Sequence, residues 1–124
     1  MLSERILVVE RERIVAMDID NILRGSGYSN TTLVYSYDAA MSEIYSIKPD
    51  LVLLDERIGD GKNGISAGRK IIETYQIPVL YLTSSPPSKS PRARRDRLAH
   101  FLHKPFGPDE VSSAVKKILS RRKK

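Results

Sequence analysis

Asp55 closes the apolar run Leu51-Val52-Leu53-Leu54 and opens into a loop of charged residues and glycine that ends at Gly64. An uninterrupted aliphatic run bounded by turn residues reads as a strand buried on both faces of a parallel sheet. In open α/β sheets the working residues stand just past the carboxyl ends of such strands. Glu10 and Arg11 follow the run Arg5–Val9, Thr83 follows Val79–Leu82, and Lys104 follows His100–His103. A carboxylate flanked by an acid, a hydroxyl and an ammonium group suits phosphoryl chemistry. The carboxylate is the nucleophile, the hydroxyl and ammonium bind phosphate oxygens, and the acids hold a hard divalent cation.

That chemistry requires the strand ends to meet on one rim, and the patterning supplies the elements. Arg5–Val9 predicts a first strand, and Val15, Ile19, Ile22 and Leu23 form one helical stripe that Gly25 and Gly27 stop. A more polar strand over Asn30–Tyr35 reads as a sheet edge. A short helix over Ser36–Ser46 follows, with Ala40, Met41, Ile44 and Ile47 inward, and Pro49 leads into the third strand. Ile65, Gly68, Ile71, Ile72 and Tyr75 mark a third helix, and Pro78 opens a fourth strand, Val79–Leu82. Three prolines keep Pro86–Pro91 from being helical, which leaves only Arg92–Ala99 for a short helix. A fifth strand over His100–His103 precedes a last helix, with Pro108 at its first position and Asp109 and Glu110 in its first turn. Five βα units with short connections predict an α/β fold, a doubly wound (βα)5 parallel sheet of strand order 2-1-3-4-5.

A chain of 124 residues fits one such domain. We expect residues 1–120 to form it and 121–124 to be a basic tail. With no cysteine there is neither a disulfide framework nor a thiolate metal site. No signal peptide and no membrane-length apolar stretch is visible, so the expected location is cytoplasmic. The net charge of +6 is unevenly placed, because residues 89–124 hold twelve Lys or Arg against three Asp or Glu. A basic third can meet an anionic partner or simply be a solvated face. It lacks an aromatic platform or recognition motif, so nucleic acid is not the expected partner.

The sequence resembles a two-component response regulator receiver domain (CheY-like, with the flavodoxin-like strand order) over nearly its whole length. I-L-V-V-E-R-E resembles the family's first strand with its acidic pair, and P-D-L-V-L-L-D the strand bearing the phosphoacceptor aspartate. I-P-V-L-Y-L-T-S resembles the fourth strand with its hydroxyl, and H-K-P-F the lysine–proline pair whose preceding peptide bond is usually cis. The resemblance implies a phosphoacceptor signalling domain rather than an enzyme, with at most weak self-phosphorylation from small donors or autodephosphorylation. Asp55 would take a phosphoryl group from a histidine kinase or phosphotransfer protein and switch a surface read by a downstream protein. Thr83 would contact the phosphoryl oxygens, and Lys104 would pair with the free or phosphorylated carboxylate. Phe101 stands where the family keeps an aromatic that swings inward on activation. Glu10, Asp55 and the backbone carbonyl of Arg57 would hold Mg2+. The alternative roles are a turn-capping hydroxyl for Thr83, a surface lysine for Lys104 and core packing for Phe101.

Three departures make this chain specific. Arg11 replaces the second acid, and a guanidinium accepts nothing, so it cannot be a metal ligand. It could pair with Asp55 and stand in part for the cation, or turn to solvent, with Glu12 bending back as a substitute ligand. The loop Gly59–Gly64 is one residue longer than the commonest form and lacks its proline, yet it fits neither a calcium loop nor a Walker pattern. The segment Pro86–Arg97 stands where the family places its fourth helix, and here it is proline-broken and basic. Asp55, Thr83 and Lys104 together favour a working phosphoacceptor. Arg11 favours the alternative, a phosphorylation-independent pseudo-receiver acting as a protein-interaction module.

Overall fold

The computed structural model describes residues 2–57, 64–84 and 97–122. Its elements run β1 (Leu2–Val9), α1 (Arg13–Gly25), β2 (Tyr28–Val34), α2 (Tyr37–Ile47), β3 (Leu51–Asp55), α3 (Gly64–Tyr75), β4 (Val79–Thr83), β5 (Ala99–His103) and α4 (Pro108–Arg122). The five strands are parallel in the order β2-β1-β3-β4-β5. Every residue of β3 and of β4 is buried, as expected for central strands covered on both faces.

Alternation along the strands divides the core into two layers. Leu7, Val9, Val52, Leu54, Val79 and Tyr81 face Ala40 and Ile44 of α2 and Ala67, Ile71 and Ile72 of α3. Ile6, Val8, Leu51, Leu53, Leu80 and Leu82 face Ile19 and Leu23 of α1 and Val111, Val115, Ile118 and Leu119 of α4. The helix ends follow local chemistry. The Ser36 hydroxyl accepts the Ala39 N–H at 3.1 Å, capping α2. Glu110 reaches back to the Gly107 N–H at 2.8 Å, half of a capping box before Pro108. Gly27, with φ of 101°, turns the chain out of α1 in a conformation that favours glycine.

Boundaries differ from the sequence reading in four strands. β2 ends at Val34 and β4 at Thr83. β5 begins at Ala99, which the sequence reading places at the end of a short helix, because Ala99 pairs with Val79. β1 begins at Leu2 and β2 at Tyr28, because the two pair from Leu2↔Tyr28 onward with an irregularity before Arg5. Tyr28 is buried in the α1/α4 layer, and nothing in G-Y-S-N announces that role. α4 also continues through Arg121 to Arg122, so half of the expected tail is helical. The loop Gly59–Asn63 and the segment Pro86–Asp96 lie outside the described residues, and so do Lys123 and Lys124. Among the described residues no helix is long and apolar enough to cross a membrane.

Candidate phosphoacceptor site

The sheet register brings four strand ends together. Val9 stands opposite Leu54, so Glu10 and Asp55 are the next neighbours along β1 and β3. Asp55 stands opposite Leu82, which puts Thr83 one residue further on β4. Thr83 in turn stands opposite His103, and Lys104 follows; its N–H donates to the Thr83 carbonyl at 2.8 Å. The Lys104–Pro105 peptide is cis. Glu10, Asp55 and Thr83 are each under 4 % exposed, an unusual concentration of buried polar side chains.

The Lys104 ammonium lies 2.6 Å from Asp55 Oδ2, and the Arg57 N–H donates to Asp55 Oδ1 at 2.8 Å. On the β1 side, the Glu12 N–H donates to Glu10 Oε2 at 2.9 Å. Glu10 Oε1 is buried with no donor facing it among the described residues. Burial pushes the Glu10 carboxyl up to about 7, aided by a hydrogen bond shared with Asp55 and by that residue's charge, against the Glu12 N–H and Lys104. Burial also acts to raise Asp55. The hydrogen bonds from Glu10, Lys104 and Arg57 and the Lys104 charge outweigh it, holding Asp55 below the ordinary 3.8. Asp55 is therefore the more acidic member of the pair and Glu10 the more basic.

Two buried, adjacent carboxyl groups, one with an oxygen that no described donor reaches, are a donor set that fits a hard divalent cation. Mg2+ is commonly held by one or two carboxylates and keeps several waters. Glu10 and Asp55 supply the carboxylates, and Arg57 has a backbone carbonyl on the same loop. Among the described residues no group of three or more His, Cys, Asp or Glu converges, so the acid set stops at two. Arg11 is exposed and makes no ion pair with Asp55, whose cation is Lys104. Of the two orientations open to Arg11, the solvent-facing one is observed. Glu12 is exposed as well, and it supports Glu10 through its backbone rather than as a ligand.

Phe101 is half-buried on β5 and stacks on Tyr81 of β4, with ring centroids 5.0 Å apart and planes at 23°. Tyr81 in turn packs on Gly68 of α3, where an added Cβ would lie 2.4 Å from the ring. Sequence reasoning missed two supports. Glu56 Oε1 accepts the Ser84 N–H at 2.9 Å and the Ser84 hydroxyl at 3.2 Å, clasping the β3 loop to the end of β4. The acid after Asp55 and the hydroxyl after Thr83 were the available signals. Gly64 was read only as loop glycine, yet a Cβ there would lie 2.4 Å from the Asp55 carbonyl oxygen. The absent side chain lets α3 start against the backbone of Asp55 itself.

Comparison with known proteins agrees with the fold. The chain is 28 % identical over 119 residues to the phyllosphere-induced regulator PhyR of Methylorubrum extorquens, covering 95 % of this chain and 44 % of that protein. It is 30 % identical over 121 residues to the DNA-binding response regulator MtrA of Mycobacterium tuberculosis, covering 97 % and 52 %. The chain thus spans about half the length of these curated relatives. The anti-anti-sigma factor PhyR of Bartonella quintana superimposes with a TM-score of 0.83 at 25 % identity, over 99 % of this chain and 50 % of that one. A two-component response regulator of Clostridium difficile gives 0.85 at 25 % identity, over 98 % and 100 %. Residues 6–116, from β1 into α4, match the response regulator receiver domain family, and to that family the chain belongs.

Proposed function

We propose that this receiver domain accepts a phosphoryl group on Asp55 from a phosphohistidine on a histidine kinase or phosphotransfer protein. The observation that carries the reading is the state of Asp55: 3 % exposed, held ionised, and 2.6 Å from Lys104 where four strand ends meet. A buried carboxylate kept charged by its neighbours is a prepared nucleophile. An Asp55 oxygen forms the new P–O bond as the P–N bond of the donor breaks. The electron pair leaves on the imidazole nitrogen, which takes up a proton. Lys104 then exchanges a carboxylate oxygen for a phosphoryl oxygen, and the Thr83 hydroxyl supplies a further hydrogen bond. Glu10, Asp55 and the Arg57 carbonyl would hold Mg2+, which when bound neutralises charge on the phosphoryl oxygens.

The consequence is carried along β4 and β5. A pull on Thr83 acts on the strand that carries Tyr81 two residues earlier, and Tyr81 stacks on Phe101 of the edge strand. Phosphorylation thereby biases a packed aromatic pair next to a partner-binding surface. The likeness to PhyR, described as an anti-anti-sigma factor in Bartonella quintana, supports a protein as the downstream partner.

The test is intact mass after incubation with acetyl phosphate and Mg2+, on the wild-type chain and on Asp55→Asn. The expected result is a gain of one phosphoryl group in the wild type alone. A gain retained by Asp55→Asn overturns the site. The second reading, a phosphorylation-independent interaction module, is favoured by Arg11 at an acid's position and by the two-carboxylate set. It requires that neither acetyl phosphate nor a phosphohistidine donor modify the chain.

A further inference from the structure

Two arginines stand next to the site's carboxylates in the chain, and among the described residues neither guanidinium is committed to an ion pair. Arg11 directly follows Glu10 at the carboxyl end of β1, and Arg57 stands two residues past Asp55 at the carboxyl end of β3. Both are exposed, and among the described residues neither side chain has an ion pair or a hydrogen bond. Nearby Arg13, by contrast, is committed, lying 4.0 Å above the Tyr35 ring. Adjacent strands run about 4.8 Å apart and successive Cα atoms about 3.8 Å, so the backbone of Arg11 stands within a side chain's reach of the space above Asp55.

The charge balance of the site gives these groups a task. Glu10 and Asp55 are the two carboxylates, and among the described residues Lys104 is the one cation in contact with Asp55. Phosphorylation replaces the single negative charge of the Asp55 carboxylate with the nearly two of an acyl phosphate, a net gain of about one negative charge at a site whose described acids number only two. A guanidinium keeps its proton at all relevant pH and offers a planar fork that matches phosphate oxygens.

We propose that Arg11, with Arg57 on the β3 side, closes over the phosphoryl group as a guanidinium clamp, so that Asp55 accepts phosphoryl groups even when divalent metal is withdrawn. The inference rests on the phosphoacceptor reading above and extends it to the regulation of that site. The clamp holds the non-transferring oxygens. The bond changes remain those between Asp55, phosphorus and the leaving group, which for acetyl phosphate departs as acetate with the electron pair of the broken P–O bond.

The experiment measures the rate of mass gain from acetyl phosphate in EDTA and in saturating Mg2+. It compares the wild-type chain, Arg11→Ala, the pair Arg11→Ala/Arg57→Ala, and Lys70→Ala, which removes a charge from the exposed side of α3. In EDTA the wild type and Lys70→Ala are expected to be labelled. Arg11→Ala should be slower by about tenfold or more, the equivalent of one charge-assisted hydrogen bond, and the double variant slower still. The half-life of the acyl phosphate in EDTA should shorten in the same order. Labelling of the wild type that depends wholly on Mg2+, or Arg11→Ala labelled in EDTA as fast as the wild type, overturns the clamp and leaves the phosphoacceptor reading standing. No labelling in either condition overturns the clamp, and the phosphoacceptor reading falls with it when a phosphohistidine donor also leaves the chain unmodified.

Discussion

Lys104 Nζ lies 2.6 Å from Asp55 Oδ2, so the loop after the edge strand β5 is fastened to the end of the central strand β3. The aspartate side chain is 5 % exposed and the lysine 35 %, which makes the contact a cover over Asp55 rather than a surface pair.

Lys104→Ala is expected to destabilise the chain at pH 7 by about 1–2 kcal/mol, less than a fully buried pair because the lysine is partly solvated. The Asp55 pKa is depressed in the folded state. Its contribution to stability is therefore present above the ordinary value of 3.8 and lost as pH falls through the lowered value. Urea unfolding of wild type and variant should diverge at neutral pH and converge in acid. A constant difference across that range would place the stabilisation elsewhere.

Glu10 carries the opposite sign. Its folded pKa of about 7 lies above the ordinary 4.5, so the folded chain holds a proton that the unfolded chain releases. In metal-free buffer stability should fall as pH rises from 4.5 toward 7, by on the order of 2–3 kcal/mol, and stay reduced above that range. Glu10→Gln should remove that slope and be the more stable protein at pH 8. An unchanged slope in urea titrations of the variant would contradict the assignment.

Gly64→Ala should cost about 3 kcal/mol, at the upper end of overpacking costs, because the new Cβ meets backbone that cannot rotate away. The strain falls on Asp55 and Glu56, so the labelling rate should fall together with the unfolding midpoint. Normal stability in this variant would mean that α3 can start elsewhere.

The stack of Phe101 on Tyr81 should be measurable as a coupling. A double-mutant cycle of Phe101→Ala and Tyr81→Leu, read by urea unfolding, is expected to give about 0.5–1.5 kcal/mol. Additive losses would remove the stack as a link between Thr83 and the β5 edge.

Much of this architecture was legible in the sequence because hydrophobic periodicity is local. The continuous run Leu51–Leu54 and the alternation of stripes and prolines marked the five strands, and the common arrangement for five βα units supplied the observed order. The positions of Glu10, Asp55, Thr83 and Lys104 followed from that order. What escaped was set by distance in the chain. Tyr28 is buried under helices far along the sequence, and the Glu56–Ser84 clasp joins residues 28 apart. The vacancy at Gly64 is defined by the Asp55 carbonyl. The partner of Asp55 is set by a residue 49 positions away, Lys104, through its register on β5, and Arg11 is left exposed.

The most direct test of phosphoryl acceptance at Asp55 is to locate the modification. The chain is treated with acetyl phosphate and Mg2+, reduced with borohydride, and mapped by peptide mass spectrometry. Reduction of an aspartyl phosphate leaves homoserine, and the result expected is homoserine at position 55 and nowhere else. Homoserine at another aspartate, with position 55 unaltered, would contradict the central claim.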